Sequence, residues 1–270
     1  MHAYLDAHNH LQDDWLTPYL NEVLTAVQGL PVRWMVVNGT TEADWPTIRQ
    51  LAEDLSFVLP SYGLHPWYLA QRSEFWAETL RDHIVQTPAA VGETGLDRWM
   101  RDYDFELQQA VLRGHLELAA ELERPVTIHC LRAWPALLDL LRRTPRPSCG
   151  FLLHSYGGPL ELVDSFVELG AYFSFSGYFL NENKKAKLAP FHEIPMDRLL
   201  VETDAPAMPL PPERNEFPLP RREDGGSPNH PANIRAIYRG FAQIRQLSEQ
   251  ELLDAVRRNF DRLFQSVIDN

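Results

Sequence analysis

Near its start the chain carries two histidines one residue apart at the end of an apolar run, Leu5-Asp6-Ala7-His8-Asn9-His10. Side chains alternate between the faces of a strand, so His8 and His10 project to one side and can share a metal ion. Asp6 falls on that side too, one step deeper, where it would orient an imidazole. The same ending recurs down the chain. Ala89–Glu93 closes on Glu93, Pro125–His129 on His129, Gly150–His154 on His154, and Asp197–Asp204 on Asp204. Imidazole and carboxylate donors suit zinc, manganese or a similar divalent ion. Six such ligands exceed what one open catalytic ion uses, and two ions sharing a carboxylate account for the number. Glu93 is the expected bridge, because it has two oxygens and its strand lies between the other ligand groups. His65, in Gly63-Leu64-His65-Pro66, is read as contacting substrate or moving a proton.

These residues need a scaffold that brings distant strand ends together. Apolar runs of strand length alternate with segments of helical periodicity, and eight strands can be placed between Leu5 and Asp204. That alternation predicts an α/β fold, and the strand count a (β/α)8 TIM barrel in which the strand ends converge on one mouth. A length of 270 residues with 44% hydrophobic content fits one such domain spanning residues 1–270. Strand four is expected to stop at Glu93, with Thr94-Gly95 as a turn. Thr41 is expected to cap the second helix and Ser248 the last. Residues 205–229 hold seven prolines and no period, and this loop must lie over the mouth. Trp15, Trp34, Trp45, Trp76 and Trp134 read as packing, and Trp67 and Trp99 as residues that line the mouth.

A net charge of −12 argues against broad adhesion to nucleic acid or anionic membrane while leaving room for a local positive site. Two cysteines build no disulfide framework, and a cleaved leader is incompatible with ligands at His8 and His10, so the expected location is cytoplasmic. No apolar run reaches transmembrane length, and no obligate protein partner is inferred.

The chain resembles the TatD-like metal-dependent hydrolases, often described as deoxyribonucleases. The matching pieces are Asp6–His10, Gly63–Pro66, Gly92–Asp97, Pro125–His129, the strand ending at His154, Glu202–Pro206 and Asn229–Asn233, in order along nearly the whole chain. The resemblance implies a (β/α)8 barrel, two divalent ions (zinc, magnesium or manganese) and hydrolysis of an ester, most often a phosphodiester. It also implies that His8, His10, Glu93, His129, His154 and Asp204 are the ligands, and Asp204 is expected to be the general base as well. There are departures. Leu131 stands where the family pattern has Arg, His154 is followed by Ser155-Tyr156-Gly157-Gly158, and Trp67 replaces a common second His. The expected substrate is the end of a short single-stranded DNA, held by Arg214, Arg221 and Arg222 of the Pro-rich loop. An amidohydrolase acting on lactones or cyclic amides is the alternative. It is disfavoured because strand four carries no Lys that could bridge two metals once carboxylated. A non-catalytic metal-binding protein is a third reading.

Overall fold

The computed structural model describes residues 3–99, 103–223 and 225–269. Its elements alternate along the chain: β1 (Tyr4–Asn9), α1 (Leu20–Gln28), β2 (Val32–Asn38), α2 (Trp45–Asp54), β3 (Val58–Tyr62), α3 (Trp76–Gln86), β4 (Ala90–Asp97) and α4 (Phe105–Leu122). There follow β5 (Val126–Leu131), α5 (Trp134–Arg143), β6 (Phe151–Leu153), α6 (Val163–Glu168), β7 (Ala171–Ser176), α7 (Ala189–Glu193), β8 (Leu199–Glu202), α8 (Ile234–Arg245) and α9 (Glu249–Ile268). Each strand pairs in parallel with the next, in the order β1 to β8. The chain is therefore a single (β/α)8 TIM barrel.

Most strands are apolar on both faces because one side fills the barrel and the other packs against helices. The helices show one apolar stripe each; in α5 it is Trp134, Leu137, Leu138, Leu140 and Leu141. Ser248 caps α9 as expected, accepting from the Glu251 amide while the Glu251 carboxylate returns to the Ser248 amide. Thr41 does not cap α2. The Asp44 carboxylate instead ties down the preceding turn, accepting from Thr40 N at 2.8 Å and Thr40 Oγ1 at 2.9 Å.

Where β1 meets β8, individual backbone and side-chain hydrogen bonds close the barrel. Asp204 N donates to His8 O at 2.9 Å and His10 N to Ala205 O at 2.7 Å. Below them the Asp6 carboxylate accepts from Thr203 N at 2.9 Å and Thr203 Oγ1 at 2.6 Å. The expectation that Asp6 orients an imidazole is thus corrected: its side chain closes the seam. Burial pushes the Asp6 carboxyl up to about 8, against the hydrogen bonds from Thr203.

Strand β4 also departs from expectation. It does not end at Glu93 but runs on to Asp97, pairing Thr94 with Ile128 and Gly95 with His129 on β5. Between Val91 and Thr94 the register slips by one residue, so Glu93 lies in a bulge, a device that re-aims a side chain without ending the strand. Gly92, at φ +140°, makes this possible, since a Cβ there would stand 2.7 Å from Thr127 O.

The Pro-rich segment 205–229 is fastened at several points. Asn233 Oδ1 accepts from the amides of Glu216 and Phe217, the Glu216 carboxylate meets Arg235 and Arg239 of α8, and Asn229 Nδ2 donates to Thr203 O. One short helical turn, Pro212–Arg214, interrupts it.

Candidate metal centre

The six expected ligands meet at the mouth, although they come from five strands. His8 lies within β1 and His10 just past it; Glu93 lies in the β4 bulge, His129 within β5, His154 just past β6 and Asp204 just past β8. All are buried or nearly so. Glu93 is central, and its two oxygens face different groups. Oε2 lies 3.4 Å from His8 Nε2 and 3.2 Å from His10 Nε2. Oε1 lies 3.1 Å from His129 Nδ1 and 2.9 Å from His154 Nε2. Asp204 Oδ1 completes the first group, 3.5 Å from His8 Nε2 and 3.6 Å from His10 Nε2.

Neighbouring acceptors fix which ring nitrogen faces inward. His10 Nδ1 lies 2.8 Å from the Asn38 carbonyl, which can only accept, so the proton is on Nδ1 and neutral His10 presents an Nε2 lone pair to the centre. His129 Nε2 lies 2.9 Å from Asp97 Oδ2, which leaves Nδ1 aimed at Glu93. His154 turns Nδ1 toward Glu202 Oε1 at 3.5 Å and Nε2 toward Glu93. A ring that donates outward and offers a lone pair inward is the arrangement of a metal-ligating imidazole. His8 Nε2 and His10 Nε2 approach to 3.2 Å, a contact that a cation or proton between them relieves. The donor set therefore fits divalent cations, with Glu93 and Asp204 supplying negative charge.

His65 differs from the others. Its Nε2 is 3.4 Å from Glu93 Oε1, but its Nδ1 accepts from Trp67 N at 3.2 Å, so in the neutral ring Nε2 bears the proton. Burial lowers the ring's pKa to about 3, and the pull of Glu93 does not reverse this. His65 is thus a neutral donor at the mouth.

The charges follow from this crowding. Burial opposes ionisation of Glu93, yet the facing imidazoles, His154 foremost, hold its carboxyl well below the usual range. Burial likewise disfavours a charged His10, but Glu93 and Asp204 raise it to about 9. His154 is raised in the same way by Glu93 and Glu202, and His129 by Asp97 and Glu93. His8 goes the other way, lowered by burial and by the charge on His154. Asp204, raised by burial to about 7 against the pull of His154 and His10, can exchange a proton near neutral pH.

Two further carboxylates, to which the motifs assign no role, stand behind the ligands. Asp97 Oδ2 receives both His129 Nε2 and Trp67 Nε1, the latter at 2.8 Å, and Asp97 Oδ1 accepts from Trp99 N at 2.6 Å. Glu202 sits behind His154 and takes a hydrogen bond from Ser174 Oγ. For Glu202 the sequence carries a signal, period-two spacing from Asp204; for Asp97 it carries none, because the slip at Glu93 breaks the period. The arginines divide. Arg214 Nη1 and Nη2 both bind Gln243 Oε1, near the far end of α8. Arg222 lies 3.5 Å over the ring of Trp15, in the β1–α1 connection, and Arg221 is exposed. Trp15 is therefore not interior packing; it is 42% exposed beneath Arg222.

A barrel with such a donor cluster at its strand ends defines the class of metal-dependent (β/α)8 hydrolases. The chain belongs to the TatD related DNase family, which it matches over residues 5–265. It is 30% identical over 264 residues to YcfH of Escherichia coli K12, an uncharacterized metal-dependent hydrolase, covering 96% of this chain and 95% of that one. It is 28% identical to YabD of Bacillus subtilis, another uncharacterized metal-dependent hydrolase, over 96% and 98% of the two chains. The crystal structure of YjjV, a TatD homologue of E. coli K12, superposes with a TM-score of 0.87 at 28% identity, over 97% of this chain and 98% of that one. Among the described residues no helix is long and apolar enough to cross a membrane.

Proposed function

We propose that this metal-dependent hydrolase is a two-cation phosphodiesterase that trims the ends of short single-stranded DNA. The observation that carries the reading is the division of the Glu93 carboxylate, with Oε2 against His8 and His10 and Oε1 against His129 and His154. His8, His10, Asp204 and Glu93 Oε2 would hold one ion, and His129, His154 and Glu93 Oε1 the other. Imidazole-rich donors suit zinc or manganese better than magnesium. Bound divalent ions would withdraw charge from a phosphodiester and let water attack at neutral pH.

The protein's own groups do the rest. Asp204, whose Oδ1 faces the first ligand group 3.5 Å from His8 Nε2, would accept the proton of the attacking water through its carboxylate. His65 Nε2–H donates to a non-bridging oxygen of the substrate, and its low pKa keeps it neutral, so the proton is shared rather than lost. Arg222 on Trp15, with Arg221 beside it, contacts a flanking phosphate. Arg214 is left out of this role, because it is engaged by Gln243 about 14 Å along α8 from that helix's mouth end. The nuclease reading draws on the name of the family, TatD related DNase, and on a site whose two cations would attract an anionic substrate to an acidic protein.

The test is a substrate screen of the metal-loaded protein with short oligonucleotides, phosphodiesters, lactones and cyclic amides. Oligonucleotide shortening that Asp204→Asn abolishes, with the circular dichroism spectrum unchanged, supports the proposal. Turnover of lactones or cyclic amides with oligonucleotides left intact replaces it with the amidohydrolase reading.

A further inference from the structure

The exposed large apolar side chains are unevenly placed. Among the described residues all of them but Val85 lie on the strand-to-helix connections or strand ends at the mouth. Two belong to adjacent connections and are organised by one carboxylate. Trp67, in the β3–α3 connection, is 40% exposed, yet its Nε1–H is held at 2.8 Å by Asp97 Oδ2. Trp99, just past β4, is 57% exposed, and its backbone amide is held at 2.6 Å by Asp97 Oδ1. The Trp67 ring stands edge-on to His65, with centroids 5.0 Å apart and an 87° interplanar angle, and its centroid lies 6.4 Å from that of His129. An indole with its only donor satisfied has nothing polar left to offer. What it presents to the mouth is a rigid aromatic surface beside the metal centre.

We infer that Trp67, fixed by Asp97 and accompanied by Trp99, forms a nucleobase subsite that stacks an unpaired base next to the scissile phosphate. This rests on the phosphodiesterase reading and narrows it, because a paired base within a duplex has no face free to stack. Three observations favour a planar ring over an aliphatic occupant or a second protein surface. The indole is pinned in one orientation, as a stacking platform requires. It adjoins His65 and His129, where the reacting group would sit. The cation proposed to take a flanking phosphate, Arg222, lies over a third exposed ring, Trp15, so base-stacking and phosphate-holding elements share one rim. The surface is also tolerant of sequence, since every base has a π-face and no side chain on Trp67 is free to read base edges. The subsite therefore selects single strands without selecting among bases.

The experiment compares hexathymidylate with an abasic deoxyribose-phosphate hexamer of equal charge, in cleavage by metal-loaded protein and in fluorescence anisotropy on the Asp204→Asn protein. Stacking one base is worth about a ten- to hundredfold preference for the thymidylate, read in KM and in the binding constant rather than in kcat. Trp67→Leu should collapse that preference toward unity, while Trp67→Phe, which keeps a ring without the N–H, should retain most of it. Equal metal content in all three proteins, measured by atomic emission, separates lost stacking from a disturbed Asp97 and His129. Equal cleavage of both hexamers by the unmodified protein overturns the subsite and leaves the phosphodiesterase reading standing. A preference that survives Trp67→Leu also overturns it. Failure to cleave or bind either hexamer, with lactones or cyclic amides turned over instead, removes the phosphodiesterase reading and the subsite together.

Discussion

Asp97 is expected to set the strength of one metal site and not the other. Its Oδ2 accepts from His129 Nε2 at 2.9 Å, and that bond keeps His129 Nδ1 turned toward Glu93 Oε1, where a cation would lie between them. Burial works against charge on Asp97, but the bonds from His129, Trp99 and Trp67 hold its carboxyl down at about 2, so it is an anion at any working pH. A hydrogen bond to a charged group contributes about 1.5–3 kcal/mol, a neutral one about 0.5–1.5 kcal/mol. Asp97→Asn keeps the acceptor and removes the charge, a loss of about 1–1.5 kcal/mol, or roughly tenfold in affinity. Asp97→Ala removes both and should cost about a hundredfold, the upper end for a residue supporting a metal ligand. Calorimetric titration of metal-free protein with zinc or manganese reads this out as two binding steps, of which only the His129–His154 step should weaken. The His8–His10–Asp204 step lacks contact with Asp97 and should hold within about twofold. If both steps weaken equally, or neither does, the division of ligands around Glu93 is wrong.

Three further outcomes are expected. Glu93→Gln replaces a shared carboxylate with an amide, a far poorer bridge, so the variant should bind fewer than two ions per chain by metal analysis after dialysis; full occupancy would sink the bridging assignment. Metal uptake should weaken as pH falls. His10, raised to about 9, is protonated below that value, so each pH unit lost costs about one log unit per proton displaced. Titrations in buffers of different ionisation enthalpy should show that proton leaving at pH 7, and the absence of release would contradict the charge state. Gly95→Ala should destabilise the barrel by about 3 kcal/mol or more, because φ is +158° and the added Cβ would collide with the His129 carbonyl oxygen. A denaturant midpoint unchanged from that of the unmodified protein would show that β5 yields there at no cost.

The barrel and the candidate ligands are legible in the sequence, because both rest on short-range patterns. Apolar runs of strand length, alternating with helical stripes, specify the elements. A His, Glu or Asp at the end of such a run marks the mouth once the strands are known to be parallel. Even the inward pairing of His8 with His10 follows from a spacing of two. What the tertiary structure alone decided are contacts between residues remote in sequence, where register and bulges set direction. Asp97 reaches His129 because β4 continues past a one-residue slip at Glu93, and nothing in Gly92–Asp97 read alone distinguishes that from a turn. Asp6 has the spacing of a partner for an imidazole, but the seam sets Thr203 beside it. Arg214 lies on the loop proposed to hold substrate, but one residue's place in a loop does not say which way it faces, and Gln243 had already engaged it. Trp67 reads as a mouth residue from its position after β3, yet only the hydrogen bond to Asp97 makes it a fixed plate rather than a mobile side chain. Local periodicity states which face a residue takes relative to its own strand. What stands opposite is set by how eight strands stagger as they close, and that is a property of the whole barrel.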